Sequence, residues 1–160
     1  MPTYAADYVA DRSMAIGGKI TLLERTMDFA EIAAYRAGAG LTALAANDVY
    51  EAISLNAKTL VLHVGIDVIG AGTASLTLDV GDGTDPDGYL DGVSGTAVGS
   101  FQSGNNLTLT AGTPNAITGT PYAYALGKYY TAADTIDLKL VGYVPGNLVC
   151  RLSVLVADCS

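Results

Sequence analysis

Residues 60–69, with the sequence LVLHVGIDVI, alternate between aliphatic and mixed positions with a period of two. Every even position is a large aliphatic residue, whereas the odd positions include His63, Gly65 and Asp67. Successive side chains of a β-strand point to opposite faces, so this pattern predicts a strand with one face in the core. We therefore expect a fold built from β-strands.

The runs that resemble this stretch predict two hairpins. Residues 75–81 are aliphatic at the even positions, and turn-forming residues separate this run from the first one, so the two runs are predicted to pair. Residues 136–144 and 148–156 are predicted to form the second hairpin. A three-residue loop between them pairs Leu140 with Leu152 and keeps the core side chains of both strands on one face. A two-residue turn would place core residues opposite solvent residues.

Two further strands are predicted over residues 19–25 and 48–55. The side chains expected to face the core in these strands are Ile20, Leu22, Val49, Ile53 and Leu55. A short helix is predicted near residues 28–37, because Asp28 can cap it, Phe29 and Ile32 have helical spacing, and Gly38 can end it.

The whole pattern predicts an all-β protein, an antiparallel β-sandwich of the jelly-roll kind with one short helix. A chain of 160 residues with half of its residues apolar is long enough for one domain with a real core. We place a single domain at 19–160 and a flexible N-terminal arm at 1–18.

Charge and hydropathy exclude several classes of partner. The net charge is −8, from 8 basic and 16 acidic residues, so no basic stripe is available to neutralise the phosphates of a nucleic acid. No run of apolar residues is long enough to span a membrane. Cys150 and Cys159 have no metal-type spacing and form no disulfide framework, which predicts two free thiols in a protein made in a reducing cytoplasm.

The acidic stretch 79–92, DVGDGTDPDGYLDG, has two interpretations. Asp82, Asp85 and Asp87 followed by Gly88 are weak candidates for calcium ligands. An EF-hand loop, however, needs acidic residues at alternate positions and a terminal bidentate Glu, and neither is present. Asp side chains that bond downstream amides, together with Pro and Gly, are typical of tight turns. The spacing favours turns at the end of a strand, with calcium bound weakly or not at all.

No catalytic constellation is recognisable in the sequence, and we expect no cofactor. His63, the single histidine, falls opposite Asp79 or one step from it in the predicted hairpin. Such a pair could orient an imidazole for acid–base chemistry, but a cross-strand polar pair is ordinary sheet chemistry. No nucleophile with an activating environment and no phosphate-binding loop accompanies it. The protein is therefore predicted not to be an enzyme.

Tyrosines and outward-facing aliphatic residues are the candidates for contact surfaces. Tyr122, Tyr124, Tyr129 and Tyr130 are concentrated in one region, near Tyr143. This region could stack on sugars. It could equally lie at the edge of the core or at a subunit interface, where the amphipathic tyrosine ring is favoured, and we favour an interface. The complete set of interface candidates is Tyr4, Tyr8, Tyr122, Tyr124, Tyr129, Tyr130, Val141 and Tyr143. Val149 and Leu155 are expected beside Val141 and Tyr143 on the outer face of the second hairpin.

Four stretches resemble a group of small β-rich structural proteins of tailed bacteriophages, some of which are head decoration or cement proteins. These stretches are DVYEAISL at 48–55, TLVLHVGIDV at 59–68, LDVGDGTDPDGYLDG at 78–92 and GKYYTAADTIDLKL at 127–140. The resemblance implies an oligomeric virion β-sandwich that sits on the major capsid protein. It supplies no catalytic residues.

The resulting hypothesis is a decoration protein that binds the outside of the phage capsid shell and stabilises the head. We expect it to form a homotrimer, to be made in the host bacterial cytoplasm and to reside on the capsid surface, with the N-terminal arm as a strap. The alternative is a carbohydrate- or receptor-binding structural module of a phage tail.

Overall fold

The computed structural model describes residues 19–103 and 127–159, together with the backbone of residues 108–109 and 117–118. The described strands are β1 (Ile20–Asp28), β2 (Val49–Leu55), β3 (Thr59–Gly70), β4 (Thr77–Gly81), β5 (Leu90–Ser94), β6 (Gly99–Gln102), β7 (Thr108–Leu109), β8 (Ile117–Thr118), β9 (Lys128–Tyr130), β10 (Asp134–Val141) and β11 (Val149–Asp158). The helix α1 (Phe29–Gly38) lies between β1 and β2. No described helix is long and apolar enough to cross a membrane.

Two antiparallel sheets form the sandwich. Sheet A has the order β1-β11-β3-β6, and β9 also pairs with β3. Sheet B has the order β2-β10-β4-β5, while β7 and β8 pair with each other. The core lies between the sheets and is lined by aliphatic side chains of both. The all-β sandwich with one short helix is thus confirmed, and the strand order is compatible with the predicted jelly roll.

Both predicted hairpins are wrong. Strands β3 and β4 belong to opposite sheets, and so do β10 and β11. Leu140 pairs with Leu78 in sheet B, whereas Leu152 pairs with Ile66 in sheet A. The chain crosses the sandwich between the members of each pair, so their core side chains meet across the interior instead of lying side by side on one sheet.

The predicted core faces of the later strands are confirmed. Ile136, Leu138 and Leu140 of β10 are buried, as are Leu152 and Val154 of β11. In β3 the alternation holds from Val64 to Val68, but an irregularity in the pairing with β11 shifts it at the start of the strand. Leu62 is 38% exposed because two residues of β3 oppose one residue of β11 at this point.

The faces of the two earlier strands were harder to predict. Ile20 and Leu22 are 63% and 55% exposed, so both face solvent, and Met27 carries the buried face of β1. In β2, Ile53 and Leu55 are buried as predicted, whereas Val49 is 53% exposed. An irregularity in the pairing of β2 with β10 skips Ala52 and reverses the faces on either side of it.

The predicted helix is confirmed together with its cap. The Asp28 carboxylate Oδ1 accepts hydrogen bonds from the backbone amides of Ala30 (3.0 Å) and Glu31 (3.2 Å). Phe29 is fully buried and meets the ring of Tyr50 edge to face, with 5.6 Å between ring centroids. Phe29 therefore packs the start of the helix against the core.

The chain leaves sheet A after β6 and returns to it at β9. Both points lie beside neighbouring positions of β3. The backbone amide of Ser103 donates to the carbonyl of Val64 (2.7 Å), and the Ser103 hydroxyl accepts from the Val64 amide (3.0 Å). Gly127 lies against the carbonyl of Val61 with φ +96, a conformation that favours glycine. Ser103 and Gly127 thus both lie beside β3. The assignment of 1–18 as an arm lies outside the described residues, and the division into an arm and one domain stays a prediction.

Candidate functional site

Asp82 is the centre of the acidic stretch. Its side chain is buried at the end of β4, and Oδ1 accepts hydrogen bonds from the amides of Thr84 (2.9 Å) and Asp85 (3.0 Å). A carboxylate that binds the amides two and three residues downstream holds a tight turn, as the sequence predicts for this stretch.

The other oxygen of Asp82 joins the turn to β9. Oδ2 accepts a hydrogen bond from the Tyr130 hydroxyl (2.6 Å) and forms an ion pair with the Lys128 ammonium group. The Tyr130 hydroxyl is also 3.0 Å from that of Tyr89, and both rings are buried. The Lys128 ammonium lies 4.9 Å from the centroid of the Tyr130 ring. We call this group of Asp82, Tyr89, Lys128 and Tyr130 the Asp82 cluster.

The Asp82 cluster fixes the charge state of its members. Burial by itself would raise the pKa of Asp82, but the hydrogen bonds from Lys128, Tyr130 and the turn amides lower it below its ordinary value. Burial and the adjacent carboxylate raise the pKa of Tyr130. At neutral pH, Asp82 is therefore a carboxylate and Tyr130 a neutral hydrogen-bond donor.

The turn also requires glycine at its first position. A Cβ on Gly81 would lie 2.0 Å from the carbonyl oxygen of Asp85 and 2.3 Å from the carbonyl carbon of Pro86. The loop thus folds directly over the end of β4. Gly83, two residues later, has nothing within 4 Å of such a Cβ.

The three calcium candidates differ in their surroundings. Both carboxylate oxygens of Asp82 already bind groups of the protein itself. Asp85 shares a hydrogen bond with Asp87, which raises the pKa of Asp85. Among the described residues, no group of three or more His, Cys, Asp or Glu side chains is arranged to hold a metal ion. Weak or absent calcium binding stays a prediction.

Two further carboxylates are buried in sheet B. Asp79 accepts a hydrogen bond from the Gly92 amide (3.0 Å) and lies 3.7 Å from the Lys139 ammonium. Asp137 is 5% exposed, and its Oδ1 has no hydrogen-bond partner among the described residues. Burial raises the pKa of both groups.

His63 and Asp79 are not neighbours, and the predicted pair is wrong because β3 and β4 lie in different sheets. The Nδ1 atom of His63 is 3.3 Å from the hydroxyl of Ser103, which accepts the Val64 amide hydrogen bond. This contact fixes the chain where it leaves β6.

The interface candidates are distributed differently from the prediction. Tyr129 and Tyr143 are 48% and 50% exposed, and Val141 is half-buried. Tyr130 belongs to the Asp82 cluster and is 4% exposed, so its placement at a surface is corrected. The remaining candidates, Tyr4, Tyr8, Tyr122 and Tyr124, lie outside the described residues.

The predicted outer face of the second hairpin does not exist as one surface. Val141 ends β10 in sheet B and Tyr143 follows that strand, whereas Val149 and Leu155 belong to β11 in sheet A. The outer faces of the two sheets point away from each other. The four side chains therefore cannot form a single contact surface.

A different apolar surface lies at one end of the outer face of sheet A. Ile20 pairs with Ala157, Ala157 with Leu60, and Leu60 with Tyr129, which gives one row across four strands. A second row contains Leu22, Leu155 and the bulged Leu62, and His63, the register partner of Leu155, lies in the same row. We call these residues the apolar patch: Ile20, Leu22, Leu60, Leu62, Tyr129, Leu155 and Ala157. Sequence reasoning missed it because four of its members were predicted to face the core.

The other half of this face is polar, and its charges are paired within the chain. Arg151 lies 2.7 Å from Asp67 and 3.9 Å from Glu24. Hydrogen bonds from Ser100 and Arg151 lower the pKa of Asp67. Sheet A thus presents an apolar half beside a half in which Arg151 is shared between two carboxylates, Asp67 and Glu24.

Three solved structures contain chains with this fold. A chain of the acidic stable capsid structure of Helicobacter pylori bacteriophage KHP30 is 15% identical, with a TM-score of 0.55, and the match covers 88% of this chain and 89% of that one. A chain of the cyanophage Pam1 capsid asymmetric unit is 13% identical, with a TM-score of 0.55 and coverage of 98% and 90%. A chain of the capsid of Ralstonia phage GP4 is 14% identical, with a TM-score of 0.57 and coverage of 89% and 86%.

No protein-family model matches the chain, and no curated protein matches it either. The similarity to the three capsid structures therefore concerns the fold, which extends over nearly the whole length of each compared chain.

Proposed function

We propose that this chain is a decoration protein of a tailed-bacteriophage head, which binds the outside of the shell formed by the major capsid protein and stabilises it. The observation that carries the proposal is the match of its fold, over most of both chains, to chains in three phage capsid structures. The resemblance of its acidic turn and of residues 127–140 to small virion proteins points to the same role.

The distribution of charge supports an orientation for such a protein. Six of the described carboxylates that reach solvent lie on sheet B or its loops, namely Asp48, Glu51, Asp85, Asp87, Asp91 and Asp134. Sheet A carries the apolar patch and the ion pairs of Arg151 with Asp67 and Glu24. A protein bound to a shell needs one face for contact and another that stays hydrated, and charge keeps the hydrated face soluble. Sheet B is then the hydrated face.

The finer features of the proposal concern assembly. We place a homotrimer at the junctions between capsomers, because local three-fold positions recur there and closed symmetry suits a small protein. Synthesis takes place in the host bacterial cytoplasm. Residues 1–18 act as a strap to the shell or to a neighbouring copy and add contact area when they bind. The role is structural, without catalysis.

A cryo-electron map of the intact virion tests the proposal directly. We expect density for this fold on the outer surface of the head. Undecorated heads mixed with the purified protein should also bind it, and deletion of residues 1–16 should weaken occupancy while the melting temperature stays nearly unchanged. A map in which the fold occupies the tail, or heads that fail to bind the protein, would contradict the proposal.

A glycan array separates the proposal from the tail-module alternative. A decoration protein should show no preference among sugars, whereas a receptor-binding module should bind a defined subset. The burial of Tyr130 in the Asp82 cluster removes one ring from the stacking surface that this alternative would use.

A further inference from the structure

Asp137 is a buried carboxyl group in β10, which lies between β2 and β4 in sheet B. The residue is 5% exposed, and its Oδ1 atom has no hydrogen-bond partner among the described residues. Ile136 and Leu138 face the core, so Asp137 between them points to the outer face of the sheet. Buried polar atoms almost always have a partner, so the groups around Oδ1 indicate what it can bind.

The pairing of β10 with β2 and β4 places acceptors on both sides of Asp137. Its register partners are Glu51 and Gly81, and register partners have their Cβ positions about 4.5–5.5 Å apart on the same face. On the β2 side the neighbour is therefore a carboxylate. On the β4 side the turn fills the Cβ direction of Gly81, because the carbonyl oxygens of Asp85 and Pro86 lie 2.0 Å and 2.6 Å from that position.

The two carbonyl oxygens differ in their capacity for a further hydrogen bond. That of Asp85 already accepts from the amides of Asp82 (3.0 Å) and Gly88 (3.1 Å), which uses both of its lone pairs. No backbone amide of the described residues donates to the Pro86 oxygen. As a charged acceptor, Oδ1 of Asp137 can bind neither carbonyl, whereas with a proton it can donate to Pro86.

The electrostatic surroundings favour that proton. Burial is the largest influence on the pKa of Asp137 and raises it, and the carboxylates of Glu51, Asp134 and Asp82 raise it further. A hydrogen bond from the Thr135 side chain acts in the opposite direction without cancelling these effects. The pKa of Asp137 in the folded protein is therefore above its ordinary value.

The remaining charged groups on this face are engaged with one another. Asp85 and Asp87 of the turn share a hydrogen bond, and the Lys139 ammonium lies 3.7 Å from the Asp79 carboxylate. Among the described residues, no basic group forms an ion pair with Asp137. A proton is therefore what neutralises this buried carboxyl group within the fold.

We propose that Asp137 is a proton-dependent latch for residues 82–88 of the acidic turn. In its protonated form, Asp137 donates a hydrogen bond from Oδ1 to the Pro86 carbonyl and fastens the turn to sheet B. Loss of the proton removes the donor and sets a carboxylate against the carbonyl oxygens and the Glu51 carboxylate, so the turn loosens on this side. The latch is a property of the fold and does not depend on the decoration function.

The direction of the pKa shift gives the direction of the switch. The folded-state pKa of Asp137 is raised above the unfolded-state value, so the latch is fully closed below the unfolded-state pKa. It opens as the pH rises through the folded-state pKa. The Asp82 cluster holds the same turn to β9 throughout this range, because the pKa of Asp82 is lowered.

Side-chain carboxyl chemical shifts, followed by NMR from about pH 3 to about pH 8, test the titration. The signal that is missing from Asp137→Asn identifies Asp137, and its midpoint should lie above the ordinary aspartate value of about 3.9. Glu51→Gln removes a neighbouring carboxylate and should move this midpoint to lower pH. Glu24→Gln, at an exposed glutamate of sheet A, is the matched control and should leave the midpoint unchanged.

Amide hydrogen exchange, corrected for its intrinsic pH dependence, measures the turn itself. The protection factors of the Asp82 and Gly88 amides should fall at least about threefold as the pH rises past the Asp137 midpoint, while those of core amides in β10 change by less than about twofold. Asp137→Asn keeps a donor and carries no charge, so its turn should stay protected over the whole range. Because Asp79 and Asp85 also have raised pKa values and remain in this variant, it separates their effects from that of Asp137.

Three results would overturn the latch. The first is a midpoint for Asp137 at or below the ordinary value, or one that Glu51→Gln leaves in place. The second is turn protection in the wild type that does not change with pH. The third is an equal loss of turn protection in Asp137→Asn, which would assign the pH dependence to another carboxyl group.

Discussion

Replacing Tyr130 by phenylalanine removes a single oxygen atom from the Asp82 cluster. In the wild-type protein this hydroxyl donates to the Asp82 carboxylate at 2.6 Å and lies 3.0 Å from the Tyr89 hydroxyl. A hydrogen bond to a charged group contributes about 1.5–3 kcal/mol, and one between neutral groups contributes about 0.5–1.5 kcal/mol. The free energy of unfolding should therefore fall by roughly 2–4 kcal/mol, which in a domain of this size lowers the melting temperature by about 5–15 °C.

The same substitution has a predictable pH dependence. The folded-state pKa of Asp82 is lowered, so the stability that its carboxylate contributes is present above the unfolded-state pKa and is lost as the pH falls through the folded-state pKa. Tyr130→Phe weakens interactions of that carboxylate. The difference from the wild type should accordingly be greatest near neutral pH and shrink in acid, where both proteins carry a neutral carboxyl group.

Urea denaturation followed by circular dichroism measures both effects, and Tyr129→Phe serves as the control. Tyr129 is the adjacent residue of the same strand, and its ring is 48% exposed. Its substitution should change the free energy of unfolding by less than about 0.5 kcal/mol, as is usual for surface positions. If Tyr130→Phe also stays within that limit, or if the control loses as much stability, the Asp82 cluster does not hold the turn to β9.

Three further outcomes follow from the geometry. Gly81→Ala should destabilise the protein by more than about 2 kcal/mol because its Cβ meets backbone at 2.0 Å, whereas Gly83→Ala, with open space around it, should stay within about 0.5 kcal/mol in the same denaturation assay. Asp137→Asn should raise the free energy of unfolding at about pH 7 and raise it less at about pH 4. The reason is that the raised pKa of Asp137 lets the wild-type carboxyl group take up a proton as the pH falls. An equal gain in the free energy of unfolding at both pH values would contradict this. A maleimide should label the exposed Cys159 in the native protein and leave Cys150 unmodified until denaturant is added, because burial raises the pKa of the Cys150 thiol to about 12; rapid native labelling of both would contradict it.

Alternation along single strands was readable from the sequence, but the partners of those strands were not. The predicted core faces of β10 and β11 are confirmed at Leu140 and Leu152, which are buried. The hairpin between them is wrong, because alternation places the same side chains inward whether two strands pair within a sheet or face each other across a core. The loop between these strands is long enough to cross the roughly 10 Å between packed sheets.

Bulges explain most of the side chains that were assigned to the wrong face. One extra residue at Leu62 in β3, and another at Ala52 in β2, reverses the phase of the strand on one side of it. In β1, Leu22 and Leu23 are adjacent and equally apolar, so the pattern does not choose between faces. Since Ile20, Leu22, Leu60 and Leu62 were assigned to the core, the apolar patch could not be found before the register was known.

The turn chemistry of the acidic stretch was predictable because it is local. Asp82 binds amides two and three residues downstream, and such bonds depend on residue type and spacing alone. The contacts of Asp82 with Lys128 and Tyr130 span 46 and 48 residues of sequence. No sequence pattern indicates a pairing at that distance, so the link between the turn and β9 required the structure.

The approach of Ser103 and Gly127 to neighbouring positions of β3 holds the two ends of the intervening segment close together. Val64 and Val61, the residues to which the two ends are fixed, are three positions apart in β3, a span of about 10 Å. A loop whose ends are held this close adds little closure entropy as it lengthens, because each doubling costs only about 0.6 kcal/mol. Lengthening the chain between Ser103 and Gly127 should therefore cost little free energy of folding through closure entropy.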